Sequence, residues 1–385
     1  MSALAICFPM SNHSSRRGVS SFWTMNATHD VVIVGGGAVG SSALYQLARR
    51  GVKALAIDRF APPHDYGSSH GDTRITRLAL GEGERYLQFV RRSHEIWREL
   101  ESATGRTLLR QVGGLIYGPA SDRAAGHGVP DFLRTTIAVA KQHGVAHEVL
   151  NAEAMRGRFP QFRFRGDELG CFEPSAGFVH PEACIAAQLE VASRLGAVLR
   201  VNERVLEWRS AGTGVRVVTD RDKYEAEHLI LCAGAWLPTL EPAVAASARV
   251  LRQALFWFEP DGPPERFAPE RMPVYIRVPE AETEIFYGFP AIDGPSGGMK
   301  IAGEQFNQAC APDEMEFNAA MDGRVSVTGA EHFARGNPAQ PTALPGAFTF
   351  VALHHSGGRI LRMAGQKAVS VRFDRRRFPG LGRGL

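Results

Sequence analysis

Cysteine is scarce in this sequence and shows no pairing pattern. The five cysteines, Cys7, Cys171, Cys184, Cys232 and Cys310, are odd in number, widely spaced and without a C-x-x-C pair. A disulfide framework and a zinc knuckle are therefore excluded, no metal site is expected, and a reducing, cytoplasmic compartment fits best. No run of about 18 apolar residues occurs, so no membrane-spanning helix is expected. Internal repeats, heptads and collagen-like periods are also missing. Acid is lacking at both ends: residues 1–29 hold Arg16, Arg17 and no acid, and residues 332–385 hold nine Lys/Arg against Asp374. The formal charge of +4 thus comes from ends carrying +2 and +8, leaving residues 30–331 at −6. A mildly acidic body argues against a nucleic-acid partner.

What is present is a globular composition, with 44% apolar and 22% charged residues. A length of 385 residues exceeds one compact core and falls short of three, which predicts two interleaved domains. Residues 1–29 are Ser-rich and aperiodic and are expected to form a disordered extension. Their short apolar piece, Ala3 to Phe8, has no basic region before it and matches a secretory signal poorly. Met25 is the expected working start, with a weak transit peptide as the second reading.

From Asp30 the pattern sharpens. Val31-Val32-Ile33-Val34 is a β-branched run, Gly35-Gly36-Gly37-Ala38-Val39-Gly40 closes it, and a helical stretch follows to about Arg50. Gly51 ends that helix, and Ala54 to Ile57 forms a second strand ending in Asp58, completing a βαβ unit. Tyr86, Leu87, Val90, Trp97 and Leu100 recur at helical spacing with Gly105 as the stop. Leu115 to Tyr117, Val215 to Val218 and Leu229 to Cys232 read as strands, and residues 274–302 as two or three strands of a separate sheet.

A lone G-x-G-x-x-G carries little weight. Here it follows a strand, opens a helix and is trailed by Asp58 at a strand end, which is the context of a dinucleotide loop. Gly35 allows the turn, Gly37 lets backbone approach a pyrophosphate, and Gly40 lets helix pack on strand. The helix N-terminus at Ala38 and Val39 would face the phosphates, and Asp58 a ribose hydroxyl. FAD and NAD share this loop, so the loop does not choose between them.

The segments Ala61-Pro62-Pro63-His64, Gly67-Ser68-Ser69-His70-Gly71-Asp72-Thr73-Arg74-Ile75-Thr76-Arg77 and Gly81-Glu82-Gly83 do choose. They resemble the monomeric sarcosine oxidase and N-methyltryptophan oxidase family of flavin-dependent amine oxidases. Ala233-Gly234-Ala235-Trp236, Phe286-Tyr287-Gly288-Phe289-Pro290 and Gly298-Met299-Lys300-Ile301 also match. The likeness runs from about Asp30 to about Asp313.

This resemblance implies an α/β fold in which a Rossmann-like FAD-binding domain, residues 30–110 and 173–246, is interleaved with a substrate domain on a mostly antiparallel sheet, residues 111–172 and 247–313. It implies FAD as cofactor, touched by Arg59, Ser68, Ser69, His70, Thr73, Arg74, Val205, Gly234 and Trp236 besides the glycine loop. It makes Arg74 a cation beside the flavin ring, His70 its polar neighbour, Arg77 the partner of a substrate carboxylate, Lys300 the cation where oxygen reacts, and Tyr287 a wall of the substrate cavity. Read as residues alone, Arg74 and Arg77 are equally consistent with surface ion pairs, Lys300 with a solvated strand residue, and Tyr287 and Phe289 with sheet core. Ser69 stands where the family usually has histidine.

The resemblance implies a monomeric oxidase taking a small secondary amino acid and O2. Two of the family's closing segments are missing, however: a Cys-x-Tyr-Thr strand whose cysteine bonds the flavin covalently, and a Gly-His-Gly-Phe-Lys loop. Cys310 sits before the expected place in a different context. Residues 314–385 are Arg-rich and weakly periodic, an aberrant tail. Codon degeneracy allows residues 353–361, read one base later, to encode Tyr-Thr-Thr-Pro-Gly-Gly-Gly-Phe-Phe, which points to a shifted frame. The second functional reading is accordingly a catalytically impaired flavin-binding remnant.

Overall fold

The computed structural model describes residues 29–120, 131–245, 248–253, 255–258, 260, 262–278, 285–294, 297–303 and 309–313, together with the backbone of 6–7, 360–363 and 368–373. The remaining residues, which hold most of the expected N-terminal extension and of the 314–385 tail, lie outside the described residues.

The β-branched run His29–Val34 becomes the central strand of a sheet ordered Val198–Arg200, Ala54–Ile57, His29–Val34, Lys223–Leu231, Gly214–Thr219, Val205–Ala211. The first four strands are parallel and the last two antiparallel. Val32, Ile33 and Leu55 are fully buried because helices cover one face and the Val205–Thr219 hairpin side covers the other. Strands covered on both faces read as continuous apolar runs, which is why these were visible in the sequence. Helix Ala38–Ala48 packs with Pro181–Arg194 on one face through Leu44, Tyr45, Cys184 and Ile185. Fully burying each such side chain contributes about 1.5–3 kcal/mol.

Helix Leu87–Thr104 ends at Gly105, whose φ of 70° is the left-handed stop that glycine accepts at no steric cost. Leu87 and Leu100 are buried on this helix, as the spacing predicts. Tyr86 departs from that expectation: it belongs to the turn Glu84–Tyr86 before the helix and is 39% exposed.

The second sheet has eight strands, ordered Ile360–Met363, Phe256–Phe258, Met299–Gly303, Phe286–Gly288, Val274–Arg277, Gly114–Pro119, Glu168–Glu173, Glu148–Asn151. Every pairing is antiparallel except Val274–Arg277 with Gly114–Pro119. The two or three strands expected within 274–302 are present as three, and they extend the sheet that already contains Gly114–Pro119. Its core is aromatic, with Tyr117, Phe162, Phe256, Tyr275 and Phe286 in one cluster. A small sheet of Arg74–Thr76, Gly177–Val179 and Leu109–Gln111 lies between strands of the two large ones in sequence and carries the Arg74 segment. Within the tail, the backbone of Ile360–Met363 pairs with Phe256–Phe258, and that of Ala368–Phe373 with Ala248–Gln253. At the other end of the chain, Ile6 and Cys7 pair with Leu231 and Ile230.

Candidate active site

The glycine loop leaves the central strand at its carboxyl end, where open α/β sheets hold ligands. Gly35 has φ 98°, and a Cβ there would overlap the Cys232 carbonyl. A Cβ on Gly40 would overlap the Gly35 carbonyl oxygen, so helix Ala38–Ala48 sits directly on the turn. At Gly37, by contrast, a Cβ would meet only Ser69 Oγ at 3.6 Å, leaving room for a group to approach the backbone. The helix has no side-chain cap bond and no acid in its first turn. Its first N–H, on Ala38, donates to Ser69 Oγ at 3.2 Å. This end of the helix therefore offers partial positive charge to an anion such as a pyrophosphate. Val39 and Gly40 continue the same turn.

Asp58 is 6% exposed, and its carboxylate buttresses the loop. Oδ2 accepts from Gly36 N at 2.6 Å and Oδ1 from Phe60 N at 2.8 Å, while His64 Nε2 stands 3.4 Å from Oδ1. The next residue, Arg59, donates to Asp313 and lies over the rings of Phe60 and Trp236. Val205 opens its strand as a buried core residue, just after a segment tied to 58–60 through Asn202 N to Phe60 O and Glu203 N to Asp58 O. Gly234 takes φ 53° at the start of the turn that carries Trp236.

Loop 68–74 is tied down from several sides. Arg74 donates to the carbonyls of Thr73 at 2.8 Å, Ser68 at 2.9 Å and His70 at 2.5 Å. Lys300, 2% exposed, reaches across from the second sheet and donates to the carbonyls of Gly71 and Thr73, both at 2.7 Å. Its ammonium lies 4.1 Å from the centroid of Phe289. Lys300 is therefore buried, and a solvated strand lysine is not what the structure contains. Glu182 accepts from Gly71 N and Asp72 N at 2.6 and 3.2 Å. His70 is 3% exposed, and Thr73 Oγ1 is a buried hydroxyl without a hydrogen-bond partner. An orphaned hydroxyl costs about 1–3 kcal/mol, so it marks a place for a further polar group. Together with the open approach at Gly37, it shows that these residues fit a flavin nucleotide.

Arg77 follows on the same strand segment. Its Nη2 donates to both Glu82 oxygens, at 2.8 and 2.7 Å, and its guanidinium lies 5.7 Å from the centroid of Phe132. The side chain is 12% exposed and its Nε is buried without a partner. A small cavity, sized for about one water, is lined by Ile75, Arg77, Ala79, Cys171, Glu173 and Tyr275 among others. Tyr287 is half-buried, 6.1 Å from Phe289 between ring centroids, and packs against three apolar clusters. The residues read from the sequence thus gather into three adjoining groups, the glycine loop with Asp58, the 68–74 loop with Lys300, and Arg77 with Glu82.

Sequence reasoning missed four residues of this arrangement. Glu173, 3% exposed, accepts from Leu78 N and Ala79 N and from Ser175 Oγ, pinning the chain just past Arg77. Glu182 and Gln188 come from helix Pro181–Arg194 and reach Gly71 and Ser41. Asp313 meets Arg59 and Trp236. None carries a local signal, since each acts on a partner more than 70 residues away. Among titratable groups nearby, burial lowers His94, whose Nε2 is 2.7 Å from Thr76 Oγ1, and burial pushes the Cys232 thiol up to about 12. Among the described residues no group of His, Cys, Asp and Glu could hold a metal ion, and no helix is long and apolar enough to cross a membrane.

Residues 30–343 match the family DAO, FAD dependent oxidoreductase. The chain is 37% identical over 325 residues to the monomeric sarcosine oxidase of Streptomyces avermitilis, covering 84% of this chain and 80% of that one. It is 30% identical over 308 residues to the N-methyl-L-tryptophan oxidase of Yersinia pestis, covering 80% of each. Among solved structures, NikD, an unusual amino acid oxidase essential for nikkomycin biosynthesis, matches in its open form with a TM-score of 0.66 at 24% identity. That match covers 89% of this chain and 81% of NikD and supports the fold alone.

Proposed function

From the premise that this chain belongs to the DAO family of FAD-dependent oxidoreductases, we propose that it oxidises a small secondary amino acid of the N-methyl type, such as sarcosine or N-methyltryptophan. The products are the primary amino acid, formaldehyde and hydrogen peroxide. FAD, when bound, would supply the two-electron acceptor for the substrate C–H bond and return the electrons to O2 as hydrogen peroxide, while water hydrolyses the resulting imine to formaldehyde and the primary amino acid. The observation that carries the reading is the juxtaposition of the glycine loop with two buried or half-buried cations, Arg74 and Lys300, and a third, Arg77, that presents a guanidinium already shaped around a carboxylate.

Gly35, Gly37, Ala38, Val39 and Gly40 hold the pyrophosphate, with Ser69 beside them and Asp58, Arg59, Val205, Gly234 and Trp236 toward the adenosine. Ser68, His70, Thr73 and Arg74 form the shelf for the ring. The Arg74 guanidinium fixes that shelf through three carbonyls, so its charge stays in place while negative charge grows on the ring. Arg77 exchanges Glu82 for the substrate carboxylate, one two-oxygen acceptor for another. Lys300 places a positive charge, held between two carbonyls, where O2 acquires its first electron. Tyr287 borders the substrate and orders it against the sheet.

The relatives' names support a monomer, and the unpaired buried thiols of Cys171 and Cys184 support a cytoplasmic setting. A body of net charge −6 supports a small-molecule role rather than nucleic-acid binding. The family match continues to residue 343, past the boundary near Asp313 where the sequence alone placed the loss of likeness; the shifted frame over 314–385 therefore rests on the missing closing segments, and the coding DNA across residues 300–385 tests it. Anaerobic addition of sarcosine or N-methyltryptophan to the purified yellow protein tests the function. Bleaching of the flavin, with formaldehyde and peroxide on admitting air, is expected. Yellow protein that no secondary amino acid bleaches leaves the second reading, the impaired remnant, which the missing Cys-x-Tyr-Thr and Gly-His-Gly-Phe-Lys segments favour.

A further inference from the structure

Three side chains from distant parts of the chain meet beside the glycine loop. Arg59 follows Asp58 at the end of strand Ala54–Ile57, and Trp236 belongs to the turn after strand Lys223–Leu231. Those two strands flank His29–Val34 on either side, so Arg59 and Trp236 stand on opposite banks of the loop that leaves it. Asp313 joins them. Its Oδ1 accepts from Arg59 Nη1 at 2.5 Å and from Trp236 Nε1 at 2.8 Å. The guanidinium also lies 5.6 Å from the centroid of Trp236 and 5.3 Å from that of Phe60. One carboxylate oxygen thereby closes a bridge across the carboxyl end of the sheet. Burial works against the charge on Asp313, yet the hydrogen bonds from Trp236 and Arg59 hold its carboxyl below the usual range.

We propose that Arg59, Asp313 and Trp236 form a clasp over the adenosine half of bound FAD and slow its release. The inference rests on the reading of the glycine loop as the FAD seat. The pyrophosphate belongs at Gly37 and Ala38, and the strand end carrying Asp58 is the adenosine side; a bridge that starts one residue after Asp58 lies over that side. The clasp opens by rotation of two side chains at the surface, since those of Arg59 and Asp313 are 31% and 49% exposed. Its exposure also makes it sensitive to salt, whose screening length shortens from about 20 Å at 0.02 M to about 4 Å at 0.5 M.

The test loads the full chain with FAD, dilutes it, and follows release by the fluorescence of free flavin at about 0.02 M and about 0.5 M salt. Asp313→Asn keeps the shape and removes the charge, and Trp236→Phe removes the N–H donor together with part of the ring while keeping an aromatic side chain. Release from the unaltered protein is expected to quicken several-fold at high salt. Asp313→Asn is expected to release about 3- to 10-fold faster at low salt, the scale of an exposed ion pair with a second donor, and to have lost most of its salt response. Trp236→Phe is expected to fall between them, and ADP to bind Asp313→Asn more weakly by a similar factor. Equal release rates for all three proteins at both salts, with FAD still bound, overturn the clasp. Failure of the unaltered chain to bind either FAD or ADP overturns the seat itself and with it the proposed function. The melting temperatures of the flavin-free proteins separate misfolding from either result.

Discussion

Replacing Glu173 by glutamine tests how the Arg77 segment is held. The Glu173 carboxylate is 3% exposed and receives Leu78 N at 3.0 Å, Ala79 N at 2.8 Å and Ser175 Oγ at 2.5 Å. Hydrogen bonds to a charged acceptor contribute about 1.5–3 kcal/mol and neutral ones about 1. Glutamine keeps one oxygen for the two amides and must turn its NH2 to Ser175 Oγ, so the bonds to a charged acceptor become neutral ones and the serine hydroxyl must reverse its role. A destabilisation of about 2–4 kcal/mol follows. The pinned backbone lies between Arg77 and Glu82, so the guanidinium loses its fixed position, and KM for a carboxylate substrate should rise about tenfold or more with little change in kcat. Urea denaturation gives the first quantity and steady-state peroxide production the second. Glu173→Asp, which restores a carboxylate, should recover part of both. A Glu173→Gln protein within about 0.5 kcal/mol of the parent and with an unchanged KM would refute the reasoning.

Gly40→Ala drives a Cβ into the Gly35 carbonyl oxygen, which overpacks the turn by about 3 kcal/mol or more; the expected outcome is flavin-free protein, read from its visible spectrum. Lys300→Met removes the ammonium that bridges Gly71 and Thr73 and should slow reoxidation of reduced flavin by O2 about 10²- to 10³-fold in stopped flow, while substrate reduction is affected far less. Burial lowers His94 in the folded protein, with Glu173 pulling the other way and Arg98 adding to the decrease. Above about pH 6.5 the imidazole is neutral in both states; below it the unfolded chain binds a proton that the folded one declines, so stability falls with pH. The urea midpoint of His94→Gln should fall less between pH 7.5 and 5.5, and identical slopes would exclude the effect. Burial also pushes the thiols of Cys171 and Cys184 up to about 12, so alkylation at pH 8 should spare both until the protein unfolds.

The legible parts of this molecule are the local ones. The run Val31 to Val34, the glycine turn and the αL stop at Gly105 are each determined within a few residues, because steric limits on φ and the burial of a two-sided strand act at short range. Tyr86 was misplaced because its spacing fits the helix, whereas Gly83, with φ 111°, starts a separate turn that turns the ring outward. Asp58 was read as a ribose acceptor from its position, but its contacts to Gly36 N and Phe60 N could not be inferred without coordinates. Glu173, Glu182 and Asp313 were invisible for a different reason. Each is an ordinary acid in sequence, and its partner is supplied by the topology, as when Asp313 meets Arg59 across 254 residues. Lys300 shows the same limit in reverse: its flanking Met299 and Ile301 gave no sign that the amine is buried against Gly71 and Thr73.

That last contact carries a mechanical consequence. Lys300 rides on the eight-stranded sheet and grips the 68–74 loop outside it, so sheet and loop are sutured by one buried ammonium. Any shear between them has to stretch two short bonds in a dry place, where an ammonium left without its carbonyls is costly. Substitutions that loosen either partner should therefore show first as faster amide exchange in the 68–74 loop.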